Sequence, residues 1–146
     1  MQTLLAQHGS SSPVIVTGHS LGAALALLDT VYLPLHLPAG TPVRMVGYGM
    51  PRVGNGAFAD YVDATANVTH VNNAEDPIPV VPSRFLGFAH PAGEIHVQRD
   101  SGTWEACPGQ DNPSMLCIVG DVPSVLQGNI LDHLGPYDDN IFMGLC

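Results

Sequence analysis

Basic side chains are scarce in this chain of 146 residues: four are Lys or Arg, against 13 Asp and Glu, for a formal net charge of −9. With so few cations no basic patch can be assembled, which argues against nucleic acid or an anionic membrane surface as partner. Long apolar runs are missing too. The run from Leu21 to Leu28 is ended by Asp29, far too short to span a bilayer, so no transmembrane segment is expected. The opening Met1-Gln2-Thr3-Leu4-Leu5-Ala6 has no positive stretch and only a brief apolar patch, so it does not read as a signal peptide. Cysteine is limited to Cys107, Cys117 and Cys146. There is no C-x-x-C pair and no histidine at metal-ligand spacing, so no metal site is expected. No Walker lysine is present, and Gly47-x-Gly49 is not a dinucleotide fingerprint because position 52 is Arg. No cofactor is therefore expected.

What is present is a chain with 45% hydrophobic residues, enough for one domain with a real core and too short for two. The apolar patterning predicts a strand over 14–17, a helix over 20–33, a strand over 43–48, a short helix from 55 or 56 to 64, and a strand over 67–72. Residues 1–8 have some helical character. The first long helix carries apolar residues on every face, which predicts burial all round; Pro34 stops it. In the second helix Phe58, Tyr61 and Val62 are expected to face inward. Alternating strands and helices imply a mostly parallel sheet with helices packed on it. Beyond Asp76 the texture changes. Pro77, Pro79 and Pro82 make an irregular segment, and residues 85–90 and 93–98 read as a hairpin around Pro91-Ala92-Gly93. A further strand is expected over 103–106 and a helix over 122–131.

The chemistry centres on Gly18-His19-Ser20-Leu21-Gly22, a G-x-S-x-G motif between the run Val14-Ile15-Val16 and a helix. Strand, sharp turn and helix give this motif its meaning: the serine hydroxyl stands exposed at the tip. The glycines at 18 and 22 are expected to leave room for a tight turn. The Leu21 N–H, at the helix N-terminus, then points where an oxyanion would form. A serine hydroxyl needs a base within hydrogen-bond reach and an acid to orient that base. In this strand-turn-helix setting the partners follow in the order acid, then histidine. Asp76 directly follows the third strand, and Pro77 keeps it out of the helical region; Glu75 is the alternative acid. His133 is the histidine late in the chain and sits in a loop. His19 adjoins the serine on a sharp turn, where neighbouring side chains point apart. His70 reads as structural, and His90 and His96 as cross-strand or surface residues. Asp60 and Asp63 read as solvated charges, and Asp132 as a loop hydrogen-bonder.

Cys107 and Cys117 bracket the loop Pro108-Gly109-Gln110-Asp111-Asn112-Pro113-Ser114, and a disulfide closing it implies an oxidising compartment. Cys146 is left without a partner. Asn67-Val68-Thr69 is an N-glycosylation sequon on Asn67.

Four blocks together resemble the fungal class 3 lipase family of α/β-hydrolase triacylglycerol lipases. They are Val16-Thr17-Gly18-His19-Ser20-Leu21-Gly22-Ala23-Ala24, Tyr48-Gly49-Met50-Pro51-Arg52-Val53-Gly54-Asn55 with Phe58, Asp76-Pro77-Ile78-Pro79-Val80-Val81-Pro82, and Asp132-His133-Leu134-Gly135-Pro136-Tyr137. The resemblance runs over nearly the whole chain and implies an α/β-hydrolase fold truncated at its N-terminus, with a C-terminal β-hairpin, forming one partial domain over 1–146. It implies a secreted ester hydrolase of lipid metabolism acting on acylglycerols at a lipid–water interface. The triad would be Ser20, Asp76 and His133, with Ile78, Val80 and Leu134 lining the acyl pocket. Family members carry further strands, an oxyanion-loop Ser or Thr and a lid helix before the elbow. The alternatives are a short-chain or feruloyl-type esterase, and an inactive remnant lacking those parts, since losing one oxyanion donor costs ~10²–10³ in turnover.

Overall fold

The computed structural model describes residues 3, 5, 9, 12–138 and 141–143. Thr3 and Leu5 are helical; the rest of the helix expected over 1–8, and Cys146, lie outside the described residues. Val14–His19 forms β1, Leu21–Tyr32 α1, Val43–Tyr48 β2, Gly54–Asn55 β3, Gly56–Thr65 α2 and Asn67–Asn73 β4. Phe88–Ala89 is β5, Glu94–Val97 β6, Trp104–Cys107 β7 and Ile118–Asp121 α3, with several 3-10 turns between them. The main sheet runs in the order β1-β2-β4-β6-β7. Its first four strands are mutually parallel and β7 returns antiparallel to β6. Parallel strands joined by crossover helices need apolar cover, and α1 supplies it: Ala23, Ala26 and Leu27 pack with Met45, Met50 and Val62 in the largest buried cluster.

That packing corrects the expectation for α1. The stripe Ala23, Ala26, Leu27, Thr30 is buried, with Ala24 at its margin, while Leu21, Leu25, Leu28 and Tyr32 are about half exposed or more. The two sets follow the same i, i+3/i+4, i+7 spacing on opposite sides, so composition could not tell the inward face from the outward one. In α2 the inward residues are Phe58, Ala59 and Val62; Tyr61 is exposed. The Asn55 side chain caps that helix by accepting the Phe58 N–H at 3.0 Å.

The hairpin is also differently built. β5 pairs with β3 in a separate two-stranded ribbon, and the true hairpin is β6–β7. Gly93 is where the chain enters the main sheet: its φ is +100°, and a Cβ there would lie 2.2 Å from the Val68 carbonyl oxygen. The helix expected over 122–131 is instead two 3-10 turns, Val125–Gln127 and Ile130–His133. Ser124 and Asn129 start them by accepting the N–H groups of Leu126 and Leu131, and Gly128 separates them. His90 and His96 are buried rather than at the surface. His96 lies between the carbonyls of Ala74 and Leu116, and the rings of His70 and His90 stack at 4.9 Å.

Candidate active site

Ser20 stands between β1 and α1 at φ 57°, ψ −128°, a left-handed conformation that costs a non-glycine residue energy and is held by its surroundings. The Ser20 N–H donates to the Tyr48 carbonyl at 2.9 Å, and the Ser20 carbonyl accepts from Ala23 and Ala24 N–H. The Leu21 N–H belongs to the first helical turn, whose donors have no intrahelical acceptor. Only one glycine of the motif is sterically required. A Cβ on Gly18 would lie 2.3 Å from the Gly22 carbonyl oxygen, whereas one on Gly22 meets nothing within 4 Å.

Asp76 follows β4 through a turn in which Ala74 has φ 44° and the Asp76 N–H donates to the Asn73 carbonyl. The Asp76 carboxylate is fully buried. Its Oδ1 accepts the Ile78 N–H at 2.8 Å, and its Oδ2 faces His133 Nδ1 at 2.8 Å. A carboxylate only accepts, so His133 donates from Nδ1, which in the neutral ring leaves the lone pair on Nε2. The Ser20 and His133 side chains are not hydrogen-bonded to each other; such bonds are often long in unliganded sites.

The backbone of His133 is pinned beside the elbow. His19 Nε2 donates to the His133 carbonyl at 2.7 Å, and Tyr137 Oη donates to the same oxygen at 3.2 Å. The His19 and His133 rings lie 4.4 Å apart. Burial lowers the His19 pKa from the ordinary histidine value and raises that of Tyr137. Gly49 completes the arrangement. Its φ is +53°, and a Cβ there would lie 2.8 Å from both Asp76 Oδ2 and His133 Nδ1. The Asp–His pair occupies the space a side chain would fill. The holding roles of His19, Tyr137 and Gly49 were missed in the sequence, although all three lie inside the motif blocks.

Glu75 points outward to Arg99 at 2.9 Å. Asp132 Oδ2 accepts the Glu75 N–H at 3.0 Å, so it is a loop hydrogen-bonder. Asp60 and Asp63 both accept from Gln110, and Asp63 also accepts the Ala92 N–H. Ile78 is half-buried beside Asp76 and Leu134 is 39% exposed beside His133. Val80 packs into a buried cluster with Ile118, Val119 and Val122. Arg52 holds that segment from beneath, donating to the Val80 and Pro82 carbonyls and pairing with Asp111 at 2.7 Å. A disulfide joins Cys107 to Cys117 around Asp111. Asn67 is exposed at the start of β4. Among the described residues no group of three or more His, Cys, Asp or Glu side chains could hold a metal ion, and no helix is long and apolar enough to cross a membrane.

Three comparisons bear on this geometry. The family model for lipase (class 3) matches residues 1–86. The secreted mono- and diacylglycerol lipase MDL3 of Malassezia globosa is 38% identical over 135 residues, covering 90% of this chain and 42% of that protein. The chain thus spans about two-fifths of the length of the curated relatives it matches. Among solved structures, the triacylglyceride lipase of Rhizomucor miehei superposes with a TM-score of 0.81 at 35% identity, covering 99% of this chain and 54% of that one. A triacylglycerol lipase whose catalytic centre is described as a serine protease triad gives a TM-score of 0.71 at 32% identity, covering 95% and 53%.

Proposed function

Because the chain belongs to the class 3 lipases, with their α/β-hydrolase fold, we propose that it is the part of a secreted lipase that carries the catalytic triad, and that it forms part of one such domain. The observation that carries this reading is the buried 2.8 Å contact of His133 Nδ1 with Asp76 Oδ2, anchored beside Ser20 by His19. In the proposed mechanism Asp76 fixes the tautomer of His133. His133 Nε2 takes the Ser20 proton as Oγ attacks the ester carbonyl, and the Leu21 N–H stabilises the oxyanion. The alcohol leaves with the proton from His133. His133 then activates water, which releases the fatty acid and restores the serine hydroxyl.

Acylglycerols are the proposed substrates in preference to soluble short-chain or feruloyl esters. Relatives are named as secreted mono- and diacylglycerol lipases. Leu21 beside the nucleophile, and Leu131 and Leu134 flanking the base, leave apolar side chains exposed at 69%, 68% and 39%, which suits a lipid–water interface. Ile78 and Leu134 are the proposed acyl-contacting residues; Val80 supports them from the buried cluster below. We further propose secretion with glycan on Asn67. The test is labelling by a fluorophosphonate. Reaction of the wild type and none of Ser20→Ala is expected. Folded wild-type protein that stays unlabelled would overturn the assignment in favour of a non-catalytic chain. Turnover of emulsified long-chain glycerides against soluble short-chain esters separates lipase from esterase.

A further inference from the structure

The residue before the proposed acid and the residue before the proposed base share one guanidinium. Arg99, in the β6–β7 connection, donates from Nη2 to Glu75 Oε2 at 2.9 Å and to Asp132 Oδ2. Asp132 Oδ2 also accepts the Glu75 N–H at 3.0 Å. Asn73 Nδ2 donates to the Asp132 carbonyl at 2.9 Å, and the Asn129 N–H to the Glu75 carbonyl at 2.8 Å. The turn after β4, the hairpin connection and the last 3-10 turn therefore meet at a single seam. Glu75 leads into Asp76, and Asp132 leads into His133. We propose that Arg99 is a positioning residue that holds the acid turn against the base turn, and through that spacing sets the His133–Asp76 hydrogen bond. The proposal rests on the reading of this pair as orienting acid and base.

The physical case lies in what the seam would be without the cation. Two carboxylates, Glu75 and Asp132, reach toward the same point, and like charges this close repel. Their repulsion acts along the line that separates the two turns. The limbs are unequal. Arg99 and Glu75 are each about two-fifths exposed, at 42% and 41%, so that pair alone contributes little. Asp132 is 14% exposed and carries the inter-turn amide bond as well, so neutralising Asp132 is the effective part. A chain with only four basic residues places one of them here, where the local charge is otherwise negative.

The experiment reads the hydrogen bond directly and needs no turnover. In the full chain labelled with ¹⁵N-histidine, the His133 Nδ1–H resonance is identified by its loss in His133→Gln, and its exchange with solvent is measured. Arg99→Met is expected to speed that exchange about two- to fivefold, the range set by an ion pair of modest strength. Arg99→Lys, which keeps the charge, should recover most of the protection, and Glu75→Gln should change it little. Exchange of the Met45 amide in the core should not respond. Wild-type exchange in folded Arg99→Met overturns the proposal. If Arg99→Met does not fold, Arg99→Gln takes its place: it keeps a polar side chain at the seam and loses the charge, with the same expected and overturning results. Failure of Ser20 to label leaves this result unaffected, whereas normal labelling with unchanged exchange overturns the positioning role alone.

Discussion

Replacing Gly49 by alanine tests the geometry of the Asp76–His133 pair at the point where it has least room. The new Cβ would sit 2.8 Å from Asp76 Oδ2 and 2.8 Å from His133 Nδ1, whereas ordinary contact begins near 3.4 Å. Both atoms must therefore retreat by about 0.6 Å, the difference of those two distances. Neither can do so freely. Asp76 Oδ1 is tied to the Ile78 N–H, and the His133 carbonyl to His19 and Tyr137. The backbone cost is separate: φ of +53° is left-handed, which costs an alanine about 1–2 kcal/mol. With about 1–3 kcal/mol more for the overpacking, the sum stays within the ~5–15 kcal/mol that holds a domain folded, so the variant should remain native. Misplacing a catalytic group by ~1 Å costs ~10²-fold in rate, so labelling of Ser20 by a fluorophosphonate should slow about 30- to 100-fold. Urea denaturation of the same sample should show a loss of about 2–5 kcal/mol, the backbone cost plus that of overpacking. Labelling within threefold of wild type in folded Gly49→Ala would refute the argument that the pair depends on this space.

Four further substitutions test other parts of the fold. Gly22→Ala meets no atom and lies in a helix, so stability should rise by up to about 1 kcal/mol in thermal unfolding, while Gly18→Ala, aimed at backbone 2.3 Å away, should not yield folded protein. Asp111→Ala leaves Arg52, with its side chain 2% exposed, as an unpaired buried charge, for a loss of about 3–5 kcal/mol in urea denaturation; a loss below about 1 kcal/mol would contradict that reading. His70 and His90 are both held below the ordinary histidine value of 6.5, chiefly by burial. The unfolded chain therefore takes up protons below that pH that the native state refuses. Stability should be fully present above it and fall on acidification, by at most about 1.4 kcal/mol per pH unit for each histidine, and His90→Gln should flatten that slope.

Local signals carried much of the architecture. The run Val14-Ile15-Val16 before a glycine, and Pro34 after a long apolar stretch, mark the ends of β1 and α1 because strand and helix propensity and proline sterics act within a few residues. The position of Asp76 was legible for the same reason: Pro77 and the end of β4 place it just past the sheet edge. What failed depended on distant partners. Phe88–Ala89 reads as half of a hairpin, yet its backbone finds Gly54–Asn55, a pairing that no local pattern encodes. The inward face of α1 could not be chosen because both faces are apolar. The holding role of His19 was hidden because it requires a carbonyl 114 residues away in sequence, and that of Gly49 because the atoms it makes room for belong to two other segments.

The placement of the basic residues follows from where Asp76 sits. Asp76 lies beyond the edge of the sheet, in a stretch with no strand ladder to hold it. Its backbone must be tied from outside, and the ties come from both directions. Downstream, Arg52 grips the carbonyls of Val80 and Pro82, and Arg52 is neutralised by Asp111 from the loop that the Cys107–Cys117 disulfide closes. Upstream, Arg99 joins Glu75 to Asp132. The first tie is buried and the second partly exposed, so they respond to different conditions: salt screens the second and hardly touches the first. The two share no partner residue, so their effects on the acid turn should combine almost independently. Half of the chain's four basic residues thus hold one aspartate in register with one histidine.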